Sequence, residues 1–324
     1  MPAAQMIVVS LPGSGTPLLA DITSALGYAS YGTMSGGPSA GAQQPGPGEV
    51  YPLLRAAYGA EYAAALLNPN GACRKSLEPA FQQAVSALWR VWWARLGQPT
   101  THASPVDPDA EHRLARLPAA DLLGLLPGRG CWYVTGLDLR RADPGFLSAW
   151  RSGGRPPIVL HDRDIRDRII SQIRALTHPA GQVGSLPEHL VYRDILTALP
   201  TLEARITLAL TDSGFPGTHE ARGSRWLRHH PAVCAITHEE LAGPAAACEQ
   251  ALGRLLRATG RPNTAEVVAD LTQLTTNSPA DPATGTGRTL FTPEHERLLR
   301  HHHGDLLPPG PPTDVPAAHA GEMT

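Results

Sequence analysis

The chain has 324 residues, of which 42% are hydrophobic and 17% are charged, enough to bury one large core and to allow, without requiring, a second domain. The formal charge of −2 excludes broad binding to nucleic acid through a basic surface, although a local pocket for a small anion stays open. Lys75 is the only lysine among the 27 basic residues, which nearly excludes every enzyme whose fixed motif requires a lysine.

The cysteines and the N-terminal residues indicate a cellular location. Cys73, Cys131, Cys234 and Cys248 form no CxxC pair, which argues against a disulfide framework or a zinc site and favours reduced thiols. The apolar run Met6–Leu11 is far shorter than the roughly 20 residues of a membrane span, and no basic segment typical of a secretion signal precedes it. We therefore expect a cytoplasmic protein without membrane or nucleic-acid partners.

The first predicted elements are a strand, a loop and a helix. Residues 6–10 form a β-branched apolar run, of the kind that is buried on both faces. Glycine and proline break this run at 11–16, and residues 17–26 then follow helical spacing. The low-complexity segment 33–48 predicts a mobile loop.

Helices and further strands alternate in the rest of the chain. Helical stretches are predicted at about 50–67 and 76–96, and the polar segment 97–110, with three prolines, predicts a linker. Further strands are predicted at 131–135, 157–161 and 233–237, the last two followed by helices. Such alternation predicts an α/β fold with a mainly parallel sheet flanked by helices.

The chain is expected to form one domain. No internal repeat or second core pattern divides residues 1–307. The Pro/Ala-rich segment 308–324 has the composition of a disordered tail.

The loop after the first strand carries the main functional signal. Pro12-Gly-Ser-Gly-Thr16 presents backbone N–H groups and a helix N-terminus to an anion, with the Ser14 and Thr16 hydroxyls as further donors. The loop lacks the lysine of a Walker A motif. The alternative interpretation is an ordinary glycine-rich turn between a strand and a helix.

A second signal is Arg163-Asp-Ile-Arg-Asp167, which follows the strand predicted at 157–161, with Ser171 eight residues after Arg163. An arginine at the carboxyl end of a strand, where open α/β sheets bind ligands, suits a phosphate group. The alternative is a cluster of Arg/Asp ion pairs at a helix N-terminus.

Together these motifs resemble the sulfotransferases that use 3′-phosphoadenosine-5′-phosphosulfate (PAPS). The loop at 12–17 is similar to that family's 5′-phosphosulfate loop, and Arg163 with Ser171 is similar to its 3′-phosphate motif. Further segments agree in order with the family; they are Thr237-His-Glu-Glu-Leu241, Gly285-Thr-Gly-Arg288, and Phe291-Thr-Pro-Glu-His295 with Gly304-Asp-Leu306.

The resemblance implies a P-loop NTPase-like sulfotransferase fold, with a helical acceptor-side region at about 33–130. It implies transfer of a sulfuryl group from PAPS to a hydroxyl, or less readily an amine, of a small molecule such as a secondary metabolite, with PAP as the product and no metal. The cofactor-binding residues that it implies are Gly13, Ser14, Gly15, Thr16, Pro17, Arg163, Ser171, Gly285 and Arg288. The oligomeric state is not predicted.

Three positions depart from the family pattern. Gly13 stands where the family has a basic residue, Pro17 replaces a second threonine, and Ile165 replaces a proline. Loss of a cation where charge develops costs on the order of a few kcal/mol in the transition state. Either another cation compensates, or the site binds PAPS weakly, or the chain is a catalytically impaired, sulfotransferase-like nucleotide-binding or scaffold protein. The candidates for a replacement cation are Lys75, Arg74 and Arg288.

The general base is open between two carboxylates. The histidine that many relatives carry after the second strand is absent from Val134-Thr-Gly-Leu-Asp138. Glu49 is the first carboxylate after the first helix, and Asp138 follows the second strand; His161 is a weaker candidate. Each could reach an acceptor hydroxyl to take its proton, or could be an ordinary surface group. A P-loop kinase is a further alternative, against which the missing Walker lysine counts.

Two side-chain clusters favour structural roles. Trp89, Trp92 and Trp93 lie at helical spacing, which favours a place in the core over the lining of an acceptor pocket. His301–His303 cannot all point the same way on a helix. We therefore expect a solvated helix end there and not a metal site.

Overall fold

Five short segments pair into one parallel sheet in the computed structural model of the chain. They are β1 (Gln5–Ser10), β2 (Ala29–Gly32), β3 (Gly130–Val134), β4 (Ile158–Asp162) and β5 (Val233–Thr237). Their order across the sheet is β2-β3-β1-β4-β5, and every neighbouring pair is parallel. The α/β fold with a parallel sheet flanked by helices is therefore confirmed.

The structure describes residues 5–32, 47–97, 106–125, 129–137, 139–152, 156–178, 187–277 and 285–307. Most of the predicted mobile loop, at 33–46, and the predicted tail at 308–324 lie outside these ranges.

Sixteen helices are described within these ranges. They are α1 (Thr16–Ala25), α2 (Pro47–Tyr58), α3 (Ala60–Leu67), α4 (Leu77–Arg95), α5 (Pro108–Ala115), α6 (Ala119–Gly124), α7 (Pro144–Ser152), α8 (Ile165–Thr177), α9 (Pro187–Ala198), α10 (Leu202–Thr211), α11 (Thr218–Ser224), α12 (His238–Leu241), α13 (Ala245–Ala258), α14 (Ala265–Asn277), α15 (Gly287–Leu290) and α16 (Pro293–His303).

β1 is the central strand because its side chains are apolar on both faces. Ile7 pairs with Trp132 of β3 on one side and with Ile158 of β4 on the other. Met6 and Val8 contact the helix layer formed by α1, α13 and α14, whereas Ile7 and Val9 contact a larger layer that includes α2, α4, α8 and α10 and extends to Leu306. The sheet is thus covered on both faces, as a parallel sheet requires.

The loops after β1 and β4 diverge at the carboxyl edge of the sheet. α1 follows β1 onto one face, and α8 follows β4 onto the opposite face. Adjacent parallel strands whose helices cover opposite faces define a topological switch point, where open α/β sheets bind ligands in a crevice. The two motif loops singled out from the sequence lie side by side at this point.

β2 is the one strand that the sequence does not predict. Its four residues, Ala29–Gly32, contain a serine and a glycine and are too few to show a pattern. Among the described strands it pairs with β3 alone, at the edge of the sheet, where Tyr31 and Trp132 pack with their ring centroids 5.0 Å apart. Tertiary packing therefore forms this strand where local propensity does not.

Two predicted loop segments are helical at their ends. α5 begins inside the predicted linker 97–110, because the Asp107 carboxylate caps it by accepting from the N–H groups of Asp109 and Ala110. α2 begins at Pro47, inside the segment 33–48 predicted as a mobile loop. The helix predicted at 50–67 is also interrupted, since Gly59 has a φ of 91° between α2 and α3.

The tryptophans of α4 lie in the core, as their spacing favoured. Trp92 is fully buried, and its ring centroid lies 5.9 Å from that of Trp132 and 5.6 Å from that of Phe146. Trp89 stacks on Trp93 and on Trp132. These rings hold α4 against β3 and do not line a described cavity.

Within the described ranges, none of the helices has the length and apolar character needed to cross a membrane. All four cysteines are free thiols. Burial raises the pKa of the Cys131 thiol to about 12 and that of Cys234 to about 11, so both stay protonated and poorly reactive at neutral pH.

Candidate functional site

The loop between β1 and α1 presents the N-terminus of a helix at the switch point. Gly15 is the N-cap residue, and no side chain caps the terminus. The Ser14 N–H donates to the Leu11 carbonyl at 3.0 Å, which closes a turn just before the helix. Because the first amides of a helix lack internal acceptors, this terminus suits an anion.

Gly13 cannot be replaced by a residue with a side chain without a clash. Its φ is 80°, and a Cβ at this position would lie 2.6 Å from the backbone carbonyl oxygen of Arg168 in α8. Neither the backbone conformation nor the space admits a basic side chain. The same close approach gives Gly13 a role in packing the loop against α8. Such a role also fits the alternative interpretation, an ordinary glycine-rich turn between a strand and a helix.

The hydroxyls of the loop have different environments. Ser14 is fully buried, and its Oγ has no hydrogen-bond partner among the described residues. The Thr16 Oγ1 lies 2.7 Å from the Ser10 Oγ, which in turn lies 3.1 Å from the His161 Nδ1. Ser14 therefore retains an unused hydroxyl at the helix N-terminus, while the Thr16 hydroxyl is tied to the ends of β1 and β4.

His161 lies beneath the loop as a neutral side chain. It is fully buried in β4, and burial, followed by the nearby charge of His238, lowers its pKa to about 3. At neutral pH it therefore adds no positive charge to the site. Because the ring is buried, it is also not exposed to the hydroxyl of an acceptor substrate, which disfavours His161 as the general base.

Arg163 joins the two motif loops. Its side chain is fully buried, its Nη1 donates to the Gly13 carbonyl at 3.4 Å, and its Nε lies 3.9 Å from the Asp167 Oδ2. Its backbone N–H donates to the Asp162 Oδ1 at 2.8 Å. The guanidinium thus lies between the loop that follows β1 and the first turns of α8.

Asp167 brings a third motif to the same place. Its Oδ2 accepts from the Gly285 N–H and its Oδ1 from the Gly287 N–H, both at 2.6 Å. Gly287 lies so close to α8 that a Cβ on it would be 2.7 Å from the Arg166 carbonyl carbon. Three segments that are distant in sequence therefore meet around one arginine–aspartate pair.

A buried ion cluster fixes the end of β4. The Asp162 carboxylate accepts from the Arg168 Nη1 at 3.2 Å and from the Arg228 Nε at 2.7 Å. Burial lowers the pKa of Arg168, against the pull of Asp162. The Arg166 guanidinium pairs with Glu296 at 2.6 Å. The Arg/Asp ion-pair network proposed as the alternative for this motif is thus also present.

A cavity of about 830 Å³ opens beside Arg163, at the carboxyl ends of β4 and β5. Its size is within the range of small-molecule sites. Apolar residues that include Ile165, Trp226 and Leu306 line it, and the Glu239 carboxylate lies at its wall and accepts from the Asp164 N–H at 2.9 Å. Burial raises the pKa of Glu239.

Several expected site residues show no described contact with the Arg163–Asp167 pair. The Arg288 side chain is 80% exposed and lies 3.8 Å from the Asp164 carboxylate. Ser171 is half-buried in the second turn of α8. Arg74 and Lys75 are exposed in a short 3₁₀ turn before α4. Of the three suggested replacement cations, only Arg288 adjoins the motif segments in the described contacts.

The two proposed bases are not both described. Glu49 is exposed in the first turn of α2, and its charge contributes to the raised pKa of Tyr31 in β2, although burial is the larger cause. β2 lies two strands from β1 in the sheet, on the order of 10 Å by strand spacing. Asp138 lies outside the described residues.

For some neighbours of the site the sequence gives a weak signal or none. The ring of His238 packs so closely on Gly15 that a Cβ there would be 2.4 Å from the His238 Nδ1. Arg228 reaches Asp162 from a turn that shows no motif. The one signal for His238 is that the segment Thr237-His-Glu-Glu-Leu241 follows a predicted strand.

The histidine run at the end of α16 is only partly solvated. His301 is exposed, whereas His303 is buried with its Nε2 2.9 Å from the Leu210 carbonyl oxygen. The expectation of a fully solvated helix end is wrong for His303, because this residue faces α10. The described part of the chain contains no cluster of His, Cys, Asp or Glu that could hold a metal ion.

Neither a protein-family model nor a curated protein matches the chain at a significant level.

Proposed function

We propose that the chain is a PAPS-dependent sulfotransferase with the P-loop sulfotransferase fold, acting on a hydroxyl of a small molecule. The observation that carries the proposal is the meeting of three motif segments at the switch point. Arg163 contacts the Gly13 carbonyl and Asp167, and Asp167 holds the amides of Gly285 and Gly287. This clustering brings the segments that the proposal gives to the two ends of the nucleotide next to each other.

The residues present fit such a ligand at both ends. At one end, the uncapped N-terminus of α1 and the unpartnered hydroxyl of Ser14 offer donors to a 5′-phosphosulfate. At the other end, Arg163 and Ser171 are the groups proposed for a 3′-phosphate, and the segment Gly285–Arg288 adds an exposed guanidinium to the nucleotide site. The cavity beside Arg163 supplies space for a nucleoside.

The chain's own groups supply binding, charge stabilisation and proton removal. PAPS, when bound, supplies the sulfuryl group and leaves as PAP. The loop amides stabilise the negative charge that grows on the leaving 5′-phosphate. A carboxylate, Glu49 or Asp138, takes the proton of the acceptor hydroxyl as the new S–O bond forms.

A second candidate function is nucleotide binding without catalysis. The observation that favours it is the clash at Gly13, which excludes a basic side chain from the loop. The only guanidinium seen to contact the Gly13 carbonyl, among the described hydrogen bonds, is the fully buried one of Arg163.

Calorimetric titration with PAP, followed by transfer of labelled sulfate from PAPS to a panel of phenols and alcohols, tests the proposal. Saturable PAP binding with transfer is the expected result. Binding without transfer to any acceptor supports the second candidate. Absence of PAP binding, with ATP binding in its place, contradicts both and supports a kinase.

A further inference from the structure

A chain of hydrogen bonds links the start of α1 to the end of β4. The Thr16 Oγ1 lies 2.7 Å from the Ser10 Oγ, and the Ser10 Oγ lies 3.1 Å from the His161 Nδ1. Ser10 and His161 are both buried, and they are register partners on the adjacent strands β1 and β4. The sheet therefore fixes two of the three groups, and the third, Thr16, is the first residue of α1.

The far side of the His161 ring has no hydrogen-bond partner. Its Nε2 is buried and meets no donor or acceptor among the described residues. The ring is neutral at neutral pH, because burial, followed by the charge of His238, lowers its pKa to about 3. A neutral imidazole has one N–H, on Nδ1 or on Nε2. A proton on Nε2 would leave a buried N–H without an acceptor, which is rarer in folded proteins than an unused lone pair.

The position of this proton sets the direction of the hydrogen bonds. If the His161 Nδ1 donates to Ser10, the Ser10 proton is left for Thr16, since Ser10 is buried and has no third hydrogen-bond partner among the described residues. The Thr16 proton is then free for another group. If Nδ1 accepts instead, Ser10 donates to His161 and Thr16 donates to Ser10, because each hydroxyl has one proton. The loop then gains no donor from Thr16.

An anion at the loop requires the first of these two directions. Phosphate oxygens are strong acceptors, so the Thr16 hydroxyl can help to hold such a group only if Ser10 does not already take its proton. Donors matter at this loop because Gly13 has no room for a basic side chain. The buried Ser14 hydroxyl, without a partner among the described residues, is the other side-chain donor of the loop.

We infer that His161 is a positioning residue, which donates from Nδ1 to Ser10 and thereby makes the Thr16 hydroxyl a donor to the 5′-phosphosulfate of the bound nucleotide. The inference rests on the proposed function and adds to it a group that the ligand does not touch. The imidazole acts through its tautomer and not through its charge, so its burial as a neutral ring suits the role.

Nuclear magnetic resonance of the chain with isotope-labelled histidine determines the tautomer directly. The nitrogen chemical shifts distinguish a protonated from an unprotonated ring nitrogen, and the signals of His161 are identified by their loss in His161→Asn. We expect a protonated Nδ1 and an unprotonated Nε2, both in the free chain and with saturating adenosine 5′-monophosphate. A protonated Nε2 in either state overturns the inference, whatever the affinities are.

Calorimetric titrations of adenosine 5′-monophosphate, adenosine 3′-monophosphate and PAP measure the effect on the ligand. His161→Asn and His161→Leu have nearly the same shape, but only the asparagine amide can donate near the position of Nδ1. His161→Leu should weaken the 5′-monophosphate and PAP by about two- to tenfold, the worth of a neutral hydrogen bond. His161→Asn should recover most of this loss. The 3′-monophosphate should bind both variants as it binds the wild type, a selectivity that a general loss of structure would not produce.

Thr16→Val tests whether His161 acts through Thr16. This variant should weaken the 5′-monophosphate by about tenfold or more, because hydrogen bonds to charged groups are the stronger ones. The double variant Thr16→Val/His161→Leu should lose no more than Thr16→Val alone, since both changes remove the same donor. The control is His303→Leu, which removes another buried histidine, one that contacts the Leu210 carbonyl oxygen in α10. It should leave all three affinities unchanged.

Circular dichroism and urea unfolding confirm that each variant is folded. If His161→Leu does not fold, Ser10→Ala interrupts the hydrogen bonds at their middle and carries the same prediction. Equal losses in His161→Asn and His161→Leu, no loss in His161→Leu, or an additional loss in the double variant refutes the role of His161 while leaving the proposed function intact. If neither the 5′-monophosphate nor PAP binds the wild type, the proposed function fails, and the inference fails with it.

Discussion

Replacing Asp167 by asparagine should destabilise the protein strongly, because this carboxylate holds the Gly285–Arg288 segment against α8. Its two oxygens accept from the backbone N–H groups of Gly285 and Gly287, each at 2.6 Å, and it is 3% exposed. The Asp167→Asn side chain keeps one carbonyl oxygen and puts an NH₂ group where the second oxygen was. The backbone N–H of either Gly285 or Gly287 then faces the side-chain NH₂ group, which is a donor, in place of an acceptor oxygen.

The magnitude follows from these two contacts. Loss of a hydrogen bond to a charged acceptor costs about 1.5–3 kcal/mol, and leaving a buried donor unsatisfied costs about 1–3 kcal/mol. The variant should therefore lose about 2.5–6 kcal/mol of unfolding free energy, a large share of the roughly 5–15 kcal/mol that is typical of proteins. Asp167→Asn also removes the negative charge that lies 3.9 Å from the buried Arg163 guanidinium, which adds to the loss.

Urea unfolding followed by tryptophan fluorescence measures this loss. The matched control is Asp194→Asn, whose carboxylate is 74% exposed and pairs only with its neighbour Arg193 among the described ion pairs; an exposed pair of this kind contributes about 0–1 kcal/mol. A loss below about 1 kcal/mol in Asp167→Asn, equal to that of the control, would refute the role assigned to Asp167.

Three further predictions concern packing and protonation. Gly13→Ala should cost more unfolding free energy than Gly27→Ala, because both have a φ near 80° but only Gly13 lacks space for a Cβ; equal losses in urea unfolding would contradict the clash. Trp92→Ala should cost about 3–5 kcal/mol in the same assay, and a loss under about 1 kcal/mol would argue that the ring is not in the core. The pKa of His161 is lowered to about 3 from 6.5, so the unfolded state binds the extra proton first and stability falls as pH drops from about 6.5 toward 3. His161→Gln should flatten that dependence, and an NMR titration showing His161 protonated at pH 6 would refute the assignment.

The fold class was predictable because four of the five strands carry local signals. Their runs of apolar, β-branched or aromatic residues are long enough to be recognised, and helices separate them. β2 could not be predicted, since Ala29–Gly32 forms a strand only through its pairing with β3 at the sheet edge. α5 was missed because the prolines around it suggested a linker, although Asp107 with Pro108 is a typical helix start.

The candidate site was predictable in its parts but not in its connections. The loop at 12–17 and the motif at Arg163 were recognised from composition and from position after a strand. The role of Asp167 as the link to Gly285 and Gly287 is a contact over more than a hundred residues, which no local pattern encodes. The same holds for Arg228 and Asp162, which meet only in the folded chain.

The missing loop cation is the point at which sequence and structure complement each other. The sequence identified Gly13 as a vacant position and suggested Lys75, Arg74 and Arg288 as replacements. The structure explains why the position carries no side chain, through the Arg168 carbonyl, and places Arg163 beside it.

Calorimetric titration of PAP into the wild-type chain tests the central claim most directly. We predict saturable binding of one PAP per chain, at least tenfold tighter than binding of ATP under the same conditions. The absence of saturable PAP binding, or tighter binding of ATP than of PAP, would contradict the claim.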